Sequence, residues 1–352
     1  MFYKPDIEKT IERQKAYWQR EIVDRCCVTV WITPHWPMPD ELGVSCHDYY
    51  FDVEVLLKRW EHIFNGSWFG GDALPVIFTQ FGVCSQSLYF GGEIECRPDT
   101  IWFEPCIKDW DNPPEFNPDS PWIRKHEEIV QKLAEAGEGR FFVSIPDNPV
   151  GIMDTLANLR GPRDLLCDML DYPDQVKQMT KKITQATKDS TARLLALVKK
   201  NNLNGAVHPF MHVWAPGSLA QLQCDLSVMI SPQMYEEFVL PELEEFTGWL
   251  DYSIYHLDGQ EQIKHLDHIL SVKNLNAIQW TPVAGQPFTS KFIPVLQRIQ
   301  AAGKNLILFP QPFEVEELLS NLSSKGLILN LGMSNREEAE QLVRNVAKWT
   351  RE

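Results

Sequence analysis

The sequence predicts an α/β protein: a single (β/α)8 barrel of the TIM type over residues 1–352, with a helix before the first strand and an irregular excursion after the second. Three observations support this. Eight short β-branched or apolar runs recur along the chain, helical patterns fill most of the intervals, and no low-complexity tract or solenoid repeat interrupts them. Strands that alternate with helices need crossover connections and so form a parallel sheet. Eight such units suit a closed barrel, a fold that routinely occupies this length as one domain.

The elements follow in order. Ile7, Ile11, Ala16 and Tyr17 recur at near-helical spacing within residues 6–20, which predicts an amphipathic helix covering the bottom or side of the barrel. The expected strands are 28–32, 73–78, 140–145, 205–210, 253–257, 276–280, 305–310 and 327–331. Helices are expected at 121–136, 161–199, 232–250, 260–270, 290–302, 313–321 and 336–349. Ser231-Pro232 supplies a cap and a pre-set first turn, Pro173 breaks the long segment, and Gly303 closes the helix ahead of Asn305. The stretch from Phe81 to Pro121, rich in Gly, Pro, Cys and Trp, reads as an excursion holding a hairpin.

Composition narrows the function classes. A formal net charge of −15 disfavours nucleic acid and anionic membrane surfaces as partners. No apolar run approaches the roughly 20 residues a membrane helix needs, and the opening residues lack a signal-peptide pattern, so a cytoplasmic address is expected. The eight cysteines fit neither a zinc knuckle nor a disulfide scaffold and are expected to be reduced. Phosphate loops, nucleophile elbows, HExxH helices and dinucleotide fingerprints do not occur.

In a (β/α)8 barrel the chemistry sits at the carboxyl ends of the strands. Those ends gather His35 and Trp36 after the first run, His212 and Trp214 after the fourth, Tyr255, His256 and Asp258 at the fifth, and Gln279 and Trp280 at the sixth. Alternate residues of a strand share a face, so His256 and Asp258 present an imidazole and a carboxylate side by side, and Gly259 lets the chain turn away. Such a pair ligates a metal or works as acid and base; alternatively Asp258 caps the next helix and His256 is a satisfied core residue. His212 and Trp214 are expected to line the pocket or to pack in the core. Twelve tryptophans supply rigid walls suited to a flat or ring-shaped ligand, and they also suit barrel cores.

Several segments resemble the uroporphyrinogen decarboxylase superfamily, which includes the methylcobamide:coenzyme M methyltransferases. They are GIMDTLANLRGPRDLL from Gly151, Cys224-Asp225-Leu226-Ser227, Ile230-Ser231-Pro232, Tyr235-Glu236-Glu237-Phe238, Pro241, and Leu329-Asn330-Leu331-Gly332. The likeness runs from about Gly71 onward and rests on the order of the motifs. It implies that Asp72 matches the aspartate that binds substrate pyrrole nitrogens in the decarboxylases. The arginine-rich motif expected after the first strand is replaced by Ile32-Thr33-Pro34-His35-Trp36-Pro37, and Leu156-Ala157 and Met333 stand where a tyrosine and a histidine belong. Without those arginines, substrate carboxylates would be desolvated and unpaired, at a cost of kcal/mol order each.

The methyltransferase branch holds zinc with a His-x-Cys-Gly strand end and a later cysteine. His256-Leu257-Asp258-Gly259 resembles that motif with aspartate for cysteine, and Met333 stands near the later cysteine's place. The resemblance therefore implies a metal-assisted or corrinoid-linked one-carbon methyltransferase acting on a small molecule. His256, Asp258 and Asp72 would be catalytic, and His35, Trp36, His212, Trp214, Tyr255, Gln279, Trp280 and Met333 would line the pocket. Zinc or another divalent ion at His256 and Asp258, a corrinoid carried by a partner protein, and a homodimer are expected with it. The alternatives are a decarboxylase of a smaller cyclic or aromatic acid and a non-catalytic corrinoid or tetrapyrrole binder.

Overall fold

The computed structural model describes residues 1–79, 81–146 and 148–351. Numbering the strands that follow the barrel path, β1 is Cys27–Ile32, β2 Val76–Ile77, β3 Phe142–Val143, β4 Leu219–Leu222, β5 Tyr252–Asp258, β6 Ala277–Thr281, β7 Asn305–Leu308 and β8 Leu327–Gly332. A seven-stranded sheet runs in the order Trp68–Gly71, β1, β8, β7, β6, β5, β4, and every pair in it is parallel except Trp68–Gly71 with β1. The strands β2 and β3 form a separate parallel pair, and past β3 the residue Val150 makes an isolated parallel bridge to Leu222 of β4.

The hydrogen-bonded ring is therefore not closed. At the free edge of β1, where closure would place β2, the antiparallel strand Trp68–Gly71 takes up the backbone groups instead. The fold is mixed α/β, with a mostly parallel sheet compatible with a TIM-like barrel. Leu257, Ile278, Leu306, Leu308, Leu327, Leu329 and Leu331 of β5 to β8 pack against the surrounding helices in the largest core cluster.

The expected fourth strand is corrected. Ala206–His208 turns back on Val213–Ala215 as an antiparallel hairpin, and the strand that pairs with β5 is Leu219–Leu222. Glutamines hide that strand in the sequence: Gln221 and Gln223 alternate with Leu222 and Cys224, and their polarity masks a run whose other face is core. The helix Val53–Gly66 and the helix Ile152–Arg160 were also not anticipated. The amino-terminal helix spans Ile7–Trp18, and Gln14 Nε2 and Trp18 Nε1 donate to the carbonyls of His212 and Trp214, tying the helix to the hairpin. The excursion holds a 3₁₀ helix, Ser85–Phe90, and the hairpin Glu93–Cys96 with Ile101–Glu104. All eight cysteines are free, and among the described residues no helix is long and apolar enough to cross a membrane.

Asp72 is placed away from the strands' carboxyl ends. It precedes β2 and contacts the start of β1, where its carboxylate, wholly buried, accepts from Arg13 Nη1 at 3.0 Å, Arg25 Nη1 at 2.6 Å and the Val28 amide at 3.0 Å. It is an internal counter-charge for two buried arginines and lines no cavity with His256. Removing one member of a buried charge network strands the others, at about 3–5 kcal/mol. Asp72→Ala should therefore lose about that much stability in urea unfolding. A loss under about 1 kcal/mol would contradict this placement.

Candidate functional site

The carboxyl ends of three neighbouring strands build the site. Gln221 on β4, Gln223 just beyond it and Asp225 at the start of the 3₁₀ helix Asp225–Met229 line the same space. On β5 the two-residue strand period brings His256 and Asp258 together, with Nε2 3.9 Å from Oδ1. On β6, Gln279 and Thr281 face the same space. Gly259, at φ +77°, turns the chain into the next 3₁₀ helix, which receives no side-chain cap, so Asp258 is not held as a helix cap.

A chain of hydrogen bonds fixes the imidazole. Gln279 Nε2 donates to Thr281 Oγ1, which leaves Gln279 Oε1 to meet His256 Nδ1. An amide oxygen only accepts, so this network assigns the proton to Nδ1 and leaves the Nε2 lone pair free toward Asp258. Metal-binding histidines are oriented in this way by an outer partner.

A second device holds Asp225. The carboxylate of Asp154, in the first turn of the helix Ile152–Arg160, accepts from the backbone amides of Asp225 at 2.9 Å and Leu226 at 3.1 Å, and from Gln223 Nε2 at 3.3 Å. Gln223 Nε2 also donates to Asp225 Oδ2 at 3.0 Å. A Cβ on Gly151 would come within 2.8 Å of Asp154 Oδ2 and 2.9 Å of Cys84 Sγ, so glycine admits this close approach. Desolvation in the cavity wall, then the charges of Asp154 and Asp258, push Asp225 up to about 7, against the lowering effect of Gln223. Burial likewise raises Asp154, opposed by its three donors.

One ligand atom each from Asp225, His256 and Asp258 lies within 4.8 Å of the others, a grouping able to hold a metal ion. Two carboxylate oxygens and one imidazole nitrogen are a hard donor set that fits zinc or another divalent cation, and the Nδ1 contact to Gln279 completes the fit. Thiolate ligation has no support: Cys84 and Cys224 are buried, and burial pushes both thiols well up. Asp225 and His256 line a cavity of about 580 Å³ whose other walls include Phe78, Val83, Met211 and Phe309. No lysine or arginine is among its described lining residues.

The structure brings only part of the expected set together. His256 and Gln279 share this cavity, with Asp258 beside them. Tyr255 and Trp280 fall on the opposite strand face and are core: Tyr255 accepts from the Tyr235 hydroxyl at 2.9 Å, and Trp280 packs on Phe292 at 4.7 Å. Trp214, in the second strand of the hairpin, is buried with Nε1 donating to the Asn202 carbonyl, and it too is structural. His35 is exposed and paired with Glu41. Met333 lines a separate open depression with Gln311 and Glu338. Trp36 and His212 border a second cavity. Asp225 and Asp154 were missed as site residues, although Gln221, Gln223 and Asp225 alternate legibly once β4 is correctly drawn.

No family model matches the chain, and no curated protein matches it by sequence. Among solved structures it is similar to a methyltransferase from Methanosarcina mazei, with a TM-score of 0.65 and 12% identity over 96% of this chain and 98% of that one. At that identity the likeness shows a shared fold.

Zinc or manganese affinity, measured by titration calorimetry, should rise with pH through about 7 as Asp225 loses its proton, and Asp225→Asn should flatten that dependence. In the metal-free protein the raised carboxyl favours folding below the ordinary carboxylate range, so its contribution fades as pH climbs through about 7. Gln279→Ala should weaken metal binding by about 10–100-fold while leaving the fold intact. An unchanged affinity would show that the imidazole needs no such partner.

Proposed function

We propose that this protein is a metal-dependent enzyme of small-molecule methyl transfer. The observation that carries the reading is the convergence of Asp225, His256 and Asp258 at the mouths of two adjacent parallel strands. These three residues would hold a divalent ion, which supplies Lewis-acid polarisation of a substrate heteroatom when bound. The rest of the work falls to the chain. Gln279 fixes the imidazole tautomer, Asp154 pins the start of the 3₁₀ helix that carries Asp225, and Gln221 and Thr281 offer hydrogen bonds that orient a polar substrate. Phe78, Met211 and Phe309 limit water around it.

A cavity of about 580 Å³ lies within the range of about 300–1,000 Å³ usual for small-molecule sites. A corrinoid partner, which the sequence resemblance implies, would therefore present its methyl group from outside the cavity. The fold-level likeness to a methyltransferase supports the reaction class without specifying the acceptor. The decarboxylase alternative draws no support from the wall, which offers a carboxylated substrate the acid Asp225, with Asp258 beside it, and no cation among its described residues. A passive corrinoid or tetrapyrrole binder has no need of a preorganised ligand cluster.

Elemental analysis of the purified protein should find about one divalent ion per chain, lost in His256→Ala and Asp258→Ala with the circular dichroism spectrum unchanged. Methyl transfer from methylcobalamin to a panel of thiols, amines and alcohols should vanish in the same variants. Full turnover by His256→Ala, or by metal-free wild type, would overturn the proposal.

A further inference from the structure

A second cavity, of about 310 Å³, adjoins the first. Phe78 and Phe210 line both, and their rings meet at 4.4 Å, so two side chains part the compartments. The remaining walls are strongly aromatic and come from separate elements: Trp31 from β1, Trp36 from the segment after it, and Trp60 and Phe64 from the helix Val53–Gly66. Only Thr33 and His212 bring polar side chains. The His212 ring lies 4.6 Å from that of Trp31, and its Nδ1 is engaged by the Leu74 main chain. Burial lowers its pKa to about 4, so the ring is neutral at physiological pH.

Charge decides between two kinds of occupant. Clustered indoles attract either a flat neutral ring or an organic ammonium ion. Here a cation is already in place: the Arg59 guanidinium, 3% exposed, packs over Tyr49 at 3.8 Å and over Trp36 at 5.4 Å. Its Nη1 donates to the Tyr49 carbonyl, its Nε has no partner, and no carboxylate pairs with it among the described residues. An ammonium ion in the cavity would meet that unneutralised charge in a low-dielectric wall, where repulsion is poorly screened. A neutral ring meets a mostly aromatic and aliphatic wall and carries no charge for Arg59 to repel. The chain's overall charge of −15 favours cations, but exposed charges are screened beyond about 8–10 Å.

We propose that this compartment binds the neutral aromatic or cyclic apolar ring of a small molecule. Combined with the proposed function, on which this extension rests, the substrate carries such a ring on one side of the Phe78–Phe210 partition and a polar head that reaches the Asp225, His256 and Asp258 cluster on the other.

The test compares toluene with N-methylpyridinium, a cation of nearly the same shape, by saturation-transfer NMR on wild type, His256→Ala, Thr33→Trp and Trp36→Ala. Toluene should bind wild type and His256→Ala alike, at least about tenfold more tightly than N-methylpyridinium. Thr33 is exposed at the rim, so Thr33→Trp should block binding, and Trp36→Ala should weaken it; the second variant carries the result if the first fails to fold. Equal binding of the cation, no binding of toluene to wild type, or toluene binding untouched in folded variants would overturn the ring compartment. Because His256→Ala disables only the metal cluster, failure here and failure of the proposed reaction remain distinguishable.

Discussion

The contact between His256 Nδ1 and the Gln279 side chain sets the character of the site. It joins two adjacent parallel strands through side chains as well as backbone, since His256 and Gln279 are also register partners. With Nδ1 committed as a donor, the other ring nitrogen is a lone-pair donor toward two carboxylates. An isolated His-x-Asp pair leaves the ring free to rotate and to choose a tautomer. The amide removes both freedoms, and Thr281 holds the amide in turn.

The acids answer to a different constraint. Asp154, Asp225 and Asp258 crowd together with no cation among the cavity's described lining residues, so their mutual repulsion is relieved by a proton or by a metal. Backbone amides share the load: Asp154 takes two of them and so tolerates burial that a bare carboxylate would resist. At the other end of the strands the charges are arranged oppositely, with Asp72 answered by Arg13 and Arg25 and closed off from solvent. The same residue type serves architecture at one end and an open cluster at the other, and the difference lies in whether arginines lie within reach.

Much of the fold was legible because long periodic segments survive in three dimensions: β1, β5 to β8 and, apart from Ile152–Arg160, the helices from Pro121 onward lie close to where their patterns place them. The fourth strand was not legible, because Gln221 within it and Gln223 just beyond it serve the cavity and interrupt its apolar run, and the hairpin next to it offered a more apolar one. The same polarity conceals Asp225, which stands three residues beyond the end of β4. His256, Asp258 and Gln279 were legible from alternation alone. Tyr255 and Trp280 show the limit of reading strand ends without parity: each is one residue from a site residue and therefore faces the core. Asp72 was carried by resemblance, and its local partners Arg13 and Arg25 lie too far away in sequence to announce themselves.

The account depends on one ion being held by these three side chains, and a crystal soaked in manganese and measured near its absorption edge tests that most directly. Anomalous density should appear about 2.0–2.2 Å from an Asp225 oxygen, an Asp258 oxygen and His256 Nε2, with Nδ1 still turned to Gln279. Density bound through Nδ1, or confined to other acidic residues with the cluster empty, would contradict it.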